Sequence, residues 1–290
     1  MARPAYRLLA HSLWDLIPVA LGLAHFAFVL WLVTAFHDLS WWAYVPLGLG
    51  YAISLSWSIN SISHNQIHNA YFTPAWLNRA FDLLLSVTIG FSQTLYRDIH
   101  NHHHRGNSDL PGPDGKTIDP LSIYLRGKNG QPENPWAYTF LSFFRDDPKP
   151  IYNEMRRKRP KDARWVQVEI YVTVAFYLLL AVYDWQAVLV LLPFWYLGQA
   201  LSSLNGYYEH FGGNPDLPIA WGVSAYSPLY NLLWMNNGYH AEHHYRPKMH
   251  WTQVKAYHRQ IARQQQEAGV KDIPLAHGLG FLLNHQKPDA

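Results

Sequence analysis

Three short histidine clusters are the residues of this sequence best suited to chemistry. In chain order they are His64 and His68; His100, His103 and His104; and His240, His243 and His244. Residues three or four positions apart share one face of a helix, so each cluster can present several imidazoles to one metal ion. His210 is a further candidate ligand, because it stands directly after an apolar segment. Neutral imidazole binds iron, zinc, copper and nickel alike, so this spacing predicts a metal centre without naming the metal.

The remaining histidines lack such spacing, and we expect structural roles for them. They are His11, His25, His37, His102, His250, His258, His277 and His285. His102 lies within the second cluster but falls outside the register that places the other three on one face.

The composition narrows the possible classes of protein. The 290 residues are enough for one large domain, which we expect to cover residues 1–290, and the net charge of +3 does not favour nucleic-acid binding. The chain contains no cysteine, which excludes disulfides, zinc ribbons, a rubredoxin-type iron centre and a cysteine nucleophile.

Four apolar segments must position the histidines. A membrane-spanning helix needs ~20 apolar residues, and the segments at about 13–36, 41–62, 165–182 and 185–204 approach or meet that length. Tryptophans and tyrosines concentrate at their edges, as in membrane aromatic belts. The sequence therefore predicts an all-α integral membrane protein with four transmembrane helices in two hairpins.

Positive charges predict the orientation of these helices. Arg3 and Arg7 precede the first segment and a basic run from Arg156 to Arg164 precedes the third, whereas the connections at 37–40 and 183–184 carry no lysine or arginine. The positive-inside rule then places both termini and a cap formed with residues 205–290 in the cytoplasm. The basic run has a second interpretation, as a docking surface for an acidic partner.

The segment at about 76–96 is apolar in its middle but carries Arg79 and Asp82. If it crossed the bilayer, the histidine clusters on either side of it would face opposite sides of the membrane. We therefore predict an interfacial helix. Short surface helices are also predicted at about 136–144 and 251–266.

The order and spacing of the three clusters resemble the histidine boxes of the membrane fatty acid desaturase superfamily, which also contains alkane monooxygenases, carotenoid ketolases and sterol-modifying oxygenases. The run from Asn237 to Pro247 is particularly similar to the desaturase signature GYHxxHH followed by proline. This resemblance implies two non-haem iron ions, held by the eight clustered histidines.

The resemblance implies a ninth ligand, His210. The sequence YYEHFG at 207–212 is similar to the NYxEHYG motif of alkane monooxygenases, although Gly206 stands where the motif has asparagine. Asn205, one residue away, or Asn237 is a candidate for a water-mediated ligand.

Histidine ligands need hydrogen-bond acceptors that fix their tautomer. The candidate carboxylates are Asp82, Asp98, Asp119, Glu209 and Glu242. Each of them has an equally simple interpretation as a solvated or capping carboxylate.

A lipid substrate must reach the iron ions from the bilayer. Candidate tunnel residues are Trp57, Phe91, Phe194 and Tyr207, for each of which core packing is the simpler interpretation. Electrons must come from a separate ferredoxin, rubredoxin or cytochrome b5 type of protein, because the chain has no GxGxxG motif, no cysteine and no HPGG motif.

The family relation favours an O2-dependent oxidoreductase that acts on unactivated C–H bonds of a fatty acyl or related chain, with desaturation ahead of other outcomes. Hydroxylation of an alkane, fatty acid or carotenoid, and oxidative decarboxylation of a fatty acid to a terminal alkene, stay open. A zinc hydrolase would carry HExxH, which does not occur in the chain. A membrane metal-binding or transport protein would place polar ligands within its spans, which contain only His25 and Glu169 as notable ionisable residues.

Overall fold

The computed structural model describes residues 8–283, and within that range it is helical with no β-strand. Arg3, Arg7 and His285 lie outside the described residues. The helices are α1 (Leu16–Thr34), α2 (Trp41–Trp57), α3 (His64–His68), α4 (Ala75–Ile89), α5 (Gln93–Gly106), α6 (Pro135–Arg145), α7 (Lys149–Lys158), α8 (Pro160–His210), α9 (Pro228–Leu233), α10 (His240–Tyr245) and α11 (Val254–Glu267). The short helices predicted at 136–144 and 251–266 are thus confirmed as α6 and α11.

The chain folds into two compact units. Among the described residues, unit 1 comprises 8–99 with 147–199, and unit 2 comprises 100–146 with 200–283. Their boundaries fall within α5 and within α8.

Two helices of the described chain are long and apolar enough to cross a membrane, Leu13–Thr34 and Pro160–His210. The first begins with a 3-10 turn, Leu13–Asp15, in which Ser12 and Asp15 form a capping box. The second contains both the third and the fourth predicted span. The second predicted span, 41–62, comprises α2 and most of a π-helical segment, Ser58–Ser63, which continues into α3.

The long helix α8 is interrupted where the sequence predicts a connection. Asp184 has non-helical backbone angles (φ −155°, ψ 93°), so α8 consists of two helical segments that meet at a kink. The His37 Nε2 atom lies 2.8 Å from Asp184 Oδ2. The α1–α2 connection and the kink in α8 therefore meet at one end of unit 1.

Helices α2 and α8 expose large apolar side chains in unit 1. Val182 is 86% exposed, Leu179 is 69% exposed, and Trp42 is 92% exposed. Inside, the helices approach closely at small residues: a Cβ added at Gly48 would lie 2.7 Å from the Phe194 ring. An apolar exterior around a tightly packed core is typical of a protein surrounded by lipid.

The single helix predicted over 76–96 is incorrect in its extent. Helix α4 ends at Ile89, and Gly90 follows in the left-handed region with φ of 87°. Glycine adopts this conformation without a steric penalty and commonly ends helices. A new helix, α5, begins at Gln93, and Ser86 Oγ accepts a hydrogen bond of 2.9 Å from the Gln93 N–H. This break allows the second histidine cluster to lie on a separate helix.

Unit 2 contains a long loop, residues 107–134, that is organised by two aspartates. Asp109 accepts hydrogen bonds from the backbone N–H groups of Ile118 (2.7 Å) and Asp119 (2.9 Å). Asp119 is itself fully buried. The loop therefore places the Asp119 carboxylate in the interior of unit 2.

Candidate metal centre

Seven of the nine predicted ligands lie in unit 2, on three helices. Helix α5 contributes His100, His103 and His104, the last residue of α8 is His210, and α10 contributes His240, His243 and His244. In α5 and α10 the i, i+3, i+4 spacing places each set on one helical face, as predicted. The structure brings these seven imidazoles together as two groups.

The first group consists of four buried histidines, His103, His210, His240 and His244, whose ligand atoms all lie within 4.8 Å of one another. The Nε2 atom of His210 lies 3.0 Å from that of His103 and 3.1 Å from that of His240.

The second group in unit 2 contains His100, His104 and His243. The Nε2 atom of His104 lies 2.9 Å from that of His100 and 3.0 Å from that of His243. The sequence could not predict that His103 and His104, which are adjacent in the chain, belong to different groups.

These distances are compatible with metal binding. Two nitrogens bound at ~2.1 Å to one metal and at right angles to each other lie ~3.0 Å apart. The Nε2 atom of His244 is a second observation, because it is buried and makes no hydrogen bond to any of residues 8–283. A buried nitrogen without a partner costs ~1–3 kcal/mol, and coordination to a metal would remove that cost. The donor set therefore fits a pair of imidazole-bound metal ions.

Hydrogen bonds at the opposite ring nitrogen orient three of these imidazoles. His103 Nδ1 donates to Asp119 Oδ2 at 2.7 Å, His210 Nδ1 donates to the Trp221 carbonyl at 3.2 Å, and His244 Nδ1 donates to Asn107 Oδ1. Each bond requires the proton on Nδ1, so the lone pair of Nε2 points toward the group centre.

The pKa values of His244 and His103 are shifted in opposite directions. Burial lowers the pKa of His244 well below its usual value, so its ring is neutral at pH 7 and can act as a ligand. Burial also lowers the pKa of His103, but the adjacent Asp119 carboxylate outweighs this effect, and the pKa is raised overall. Asp119 is thus both the acceptor that orients His103 and a carboxylate beside the first histidine group.

Glu209, Asn205 and Asn237 form one buried cluster. Glu209 Oε1 accepts hydrogen bonds from Asn205 Nδ2 at 2.8 Å and from Asn237 Nδ2 at 2.7 Å, and it lies 3.7 Å from His240 Nδ1. Both asparagines therefore contact the carboxylate beside a candidate ligand.

The Glu242 carboxylate forms its hydrogen bonds with residues that are not predicted metal ligands. Its fully buried carboxylate accepts hydrogen bonds from Ser224 Oγ (2.9 Å), Tyr226 OH (2.8 Å) and His258 Nδ1 (2.5 Å). Two residues of helix turn the chain by ~200°, so Glu242 lies opposite His240. It ties α10 to α11.

Asp98 and Asp82, the remaining candidate carboxylates, lie in unit 1. Asp98 pairs with Arg159. Asp82 accepts hydrogen bonds from Gln66 Nε2 at 3.0 Å and from Arg97 Nη2 at 2.7 Å. Because Gln66 lies between the two histidines of the first cluster, Asp82 fixes the helix that carries them.

His64 and His68 lie one turn apart in α3 of unit 1, with ring centroids 5.1 Å apart. The π-helical segment Ser58–Ser63 immediately precedes them. Such segments shift the register of a helix and often occur at functional sites.

Three of the candidate tunnel residues lie in unit 1, and the fourth, Tyr207, lies in unit 2. Phe194 packs against Gly48 and Phe91 lies 5.4 Å from the ring of Tyr96. Tyr207 donates a hydrogen bond to the Glu133 carbonyl in unit 2, and Trp57 is half-buried at the end of α2. Unit 1 also contains an apolar pocket of about 400 Å³, whose lining residues include Tyr51, Gly90 and Trp195 but none of these four.

Two of the histidines expected to be structural, His25 and His277, have ordinary hydrogen-bond partners. His25 lies 3.1 Å from Ser54 Oγ, and His277 Nε2 donates to the Val223 carbonyl at 2.8 Å. His277 is nevertheless fully buried beside His240, with ring centroids 5.9 Å apart. Sequence reasoning did not anticipate this position, or Asn107 as the partner of His244. The only signal for Asn107 is its place directly after α5, where asparagine often adopts the left-handed conformation that it has here (φ 52°).

Comparisons with known proteins point to one family. The sequence profile described as "Fatty acid desaturase" matches residues 39–276. The chain is 25% identical over 231 residues to a sphingolipid delta(4)-desaturase DES1-like protein of Oryza sativa subsp. japonica. The aligned region covers 78% of this chain and 66% of the relative. It is 27% identical over 224 residues to the sphingolipid delta(4)-desaturase DES1 of Bos taurus, covering 71% and 62% respectively. The match thus spans slightly less than two thirds of the length of these relatives.

Proposed function

This chain belongs to the fatty acid desaturase family, and we propose that it is a membrane di-iron oxidoreductase that uses O2 to oxidise an unactivated C–H bond of a fatty acyl or related lipid chain, with desaturation as the principal outcome. The observation that carries the proposal is the convergence of seven histidine side chains in unit 2. Six of their Nε2 atoms lie 2.9–3.1 Å from the Nε2 atom of a neighbouring histidine.

We assign nine ligands to the two iron ions. They are His64, His68, His100, His103, His104, His210, His240, His243 and His244. The contacts within unit 2 support seven of them, and the helical spacing of the first cluster supports the other two. Iron is preferred over zinc because the family chemistry is oxidative and zinc has no accessible redox change.

The protein holds and orients the imidazoles. Asp119, Asn107 and the Trp221 carbonyl keep the proton on Nδ1 of three ligands, which leaves Nε2 free to bind a metal. Iron bound there would supply O2 activation and hydrogen-atom abstraction from the substrate. Burial of the four-histidine group keeps bulk water away from that chemistry.

The proposal includes four membrane spans in two hairpins, with residues 76–96 at the interface and the metal centre in the cytoplasm. Three observations support it: the kink at Asp184, the contact between Asp184 and His37, and the exposed apolar side chains of α8. Arg79 and Asp82 favour an interfacial position for α4, since each would cost ~2.5–3.5 kcal/mol at the centre of a span.

The substrate is proposed to be a long apolar chain. The named relatives are sphingolipid desaturases, and the apolar pocket of unit 1 has a volume within the ~300–1,000 Å³ typical of small-ligand sites. Hydroxylation is the second candidate outcome, because the segment ending in Glu209 and His210 is similar to a motif of alkane monooxygenases.

The proposal is tested by metal analysis and O2 uptake, together with mass spectrometry of lipids from cells with and without the gene. We expect about two iron ions per chain, and a lipid product two mass units lighter than its precursor in cells that express the gene. A His103→Ala variant should insert into the membrane normally but form no product. A chain that is active with zinc alone, or with a single metal ion, would exclude a di-iron oxidase.

A further inference from the structure

A basic surface without acidic residues lies on α11 and directly after α10. Between Glu242 and Glu267 the sequence contains five lysines and arginines and no aspartate or glutamate. Arg246, Lys248, Lys255 and Arg259 are exposed, whereas the fifth, Arg263, pairs with Glu267 at 2.8 Å. We refer to those four residues as the α11 basic surface. Lys255 and Arg259 are four residues apart, so they share one face of α11.

The α11 basic surface is connected to the metal centre by short contacts. Arg246 follows the candidate ligand His244 by two residues. The α11 residue His258 donates a hydrogen bond of 2.5 Å to Glu242, which is adjacent in the chain to the ligand His243. One hydrogen bond and one peptide unit therefore separate α11 from the second histidine group.

The surroundings of this surface do not suit a bilayer. Among residues 234–278, all of which the structure describes, no large apolar side chain is exposed. Other parts of unit 2 expose such side chains in quantity: Phe144 is 69% exposed, Leu232 is 78% exposed and Leu282 is 59% exposed. Lipid-facing elements combine basic residues with exposed apolar ones. A basic segment in which no large apolar side chain is exposed instead fits a soluble acidic protein.

The basic run from Arg156 to Arg164 differs from the α11 basic surface, because it is partly neutralised by ion pairs and adjoins exposed apolar residues. Arg159 pairs with Asp98 and lies 3.4 Å from Asp162, and Lys158 pairs with Glu154 at 2.7 Å. The run is also followed within α8 by exposed apolar residues such as Tyr171. Partial neutralisation and apolar neighbours favour contact with lipid headgroups.

We propose that the α11 basic surface is the docking site for an acidic, soluble protein that donates one electron at a time. The inference rests on the proposed function, because a desaturase needs external electrons. Removing two hydrogens from a substrate with one O2 consumes two further electrons and two protons and releases two waters. The donor must therefore bind twice in each turnover, and charge complementarity accelerates each encounter.

The test measures binding of two acidic donors, a plant-type ferredoxin and the soluble haem domain of a cytochrome b5, to the full chain in nanodiscs by surface plasmon resonance. We expect at least one donor to bind more tightly at 50 mM than at 300 mM salt. The triple variant Arg246→Glu/Lys255→Glu/Arg259→Glu should raise its Kd by about tenfold or more at the lower salt concentration. The matched control, Arg156→Glu/Arg157→Glu/Lys161→Glu, should leave the Kd unchanged.

A gain-of-charge variant distinguishes an effect of surface charge on binding from an effect of misfolding. Ala256 is exposed and lies three residues before Arg259, so Ala256→Lys should lower the Kd, a result that an unfolded protein does not produce. Binding of neither donor, salt-independent binding, or an effect of the matched control variant alone overturns the proposal. So does a triple variant that loses affinity for anionic vesicles but not for the donor. Because this assay does not depend on iron, donor binding by a chain that proves to hold no iron would contradict the proposed function alone.

Discussion

The contact between Asp119 and His103 yields a prediction in which the effect on the metal can be worked out from the structure. Asp119 Oδ2 accepts hydrogen bonds from His103 Nδ1 (2.7 Å) and from the Ser108 N–H (2.8 Å), and Oδ1 accepts one from the Leu121 N–H (2.7 Å). Asp119→Asn keeps the size of the side chain but replaces one acceptor oxygen with a donor group.

Either orientation of the new amide disrupts this arrangement. If the NH2 group takes the position of Oδ2, both His103 and Ser108 lose their acceptor. If it takes the position of Oδ1, His103 keeps a neutral acceptor, but the Leu121 N–H is left unpaired. One buried unpaired donor costs ~1–3 kcal/mol of stability. Loss of an oriented carboxylate behind a histidine ligand lowers metal affinity ~10–100-fold.

The assay is iron content per chain after dialysis against a series of chelator concentrations, with the thermal unfolding midpoint recorded in parallel. Asp114→Asn is the control, because Asp114 lies on the same loop with its side chain 65% exposed. We expect Asp119→Asn to lose iron at ~10–100-fold lower chelator concentration than the control. Wild-type iron retention by Asp119→Asn would refute the assignment of His103 as a metal ligand that Asp119 orients.

Three further outcomes are expected. His103→Ala should abolish product formation, whereas His102→Ala should have a mild effect, and the reverse result in a product assay would show that the register assigned to the second cluster is wrong. Gly90→Ala should lower the unfolding midpoint, because the left-handed backbone disfavours alanine by ~1 kcal/mol or more and the added Cβ would lie 2.5 Å from an indole nitrogen; an unchanged midpoint would contradict this. Single cysteines in this cysteine-free chain should report topology: Ser40→Cys should react with an impermeant reagent from outside the cell and Ser108→Cys only after the membrane is opened, and external labelling of Ser108→Cys would rule out the proposed orientation.

Local regularities made several features predictable from sequence. The i, i+3, i+4 spacing placed His100, His103 and His104 on one face of α5 because helical geometry repeats every 3.6 residues. The interruption at Asp184 followed from a short polar break between two apolar runs. The absence of cysteine from these 290 residues excluded cysteine-ligated metal centres within them.

The extent of the helix predicted at 76–96 was wrong for a local reason that carries little weight in a hydropathy pattern. Gly90 is a single residue between the apolar Ile89 and Phe91, but its left-handed backbone ends α4. A single glycine is tolerated inside many helices, so the sequence alone did not indicate that this one is a terminus.

The sequence by itself determined which residue types could hold a metal and which of them share a helical face. Only the tertiary structure decided how unit 2 divides them, with His103 grouped with His210 and His240, and His104 grouped with His243. It also turned Glu242 toward α11 and brought Asp119 behind His103. The physical reason is that helical periodicity acts over a few residues, whereas these contacts join segments from 16 to 139 positions apart, and their distances depend on how whole helices and loops pack.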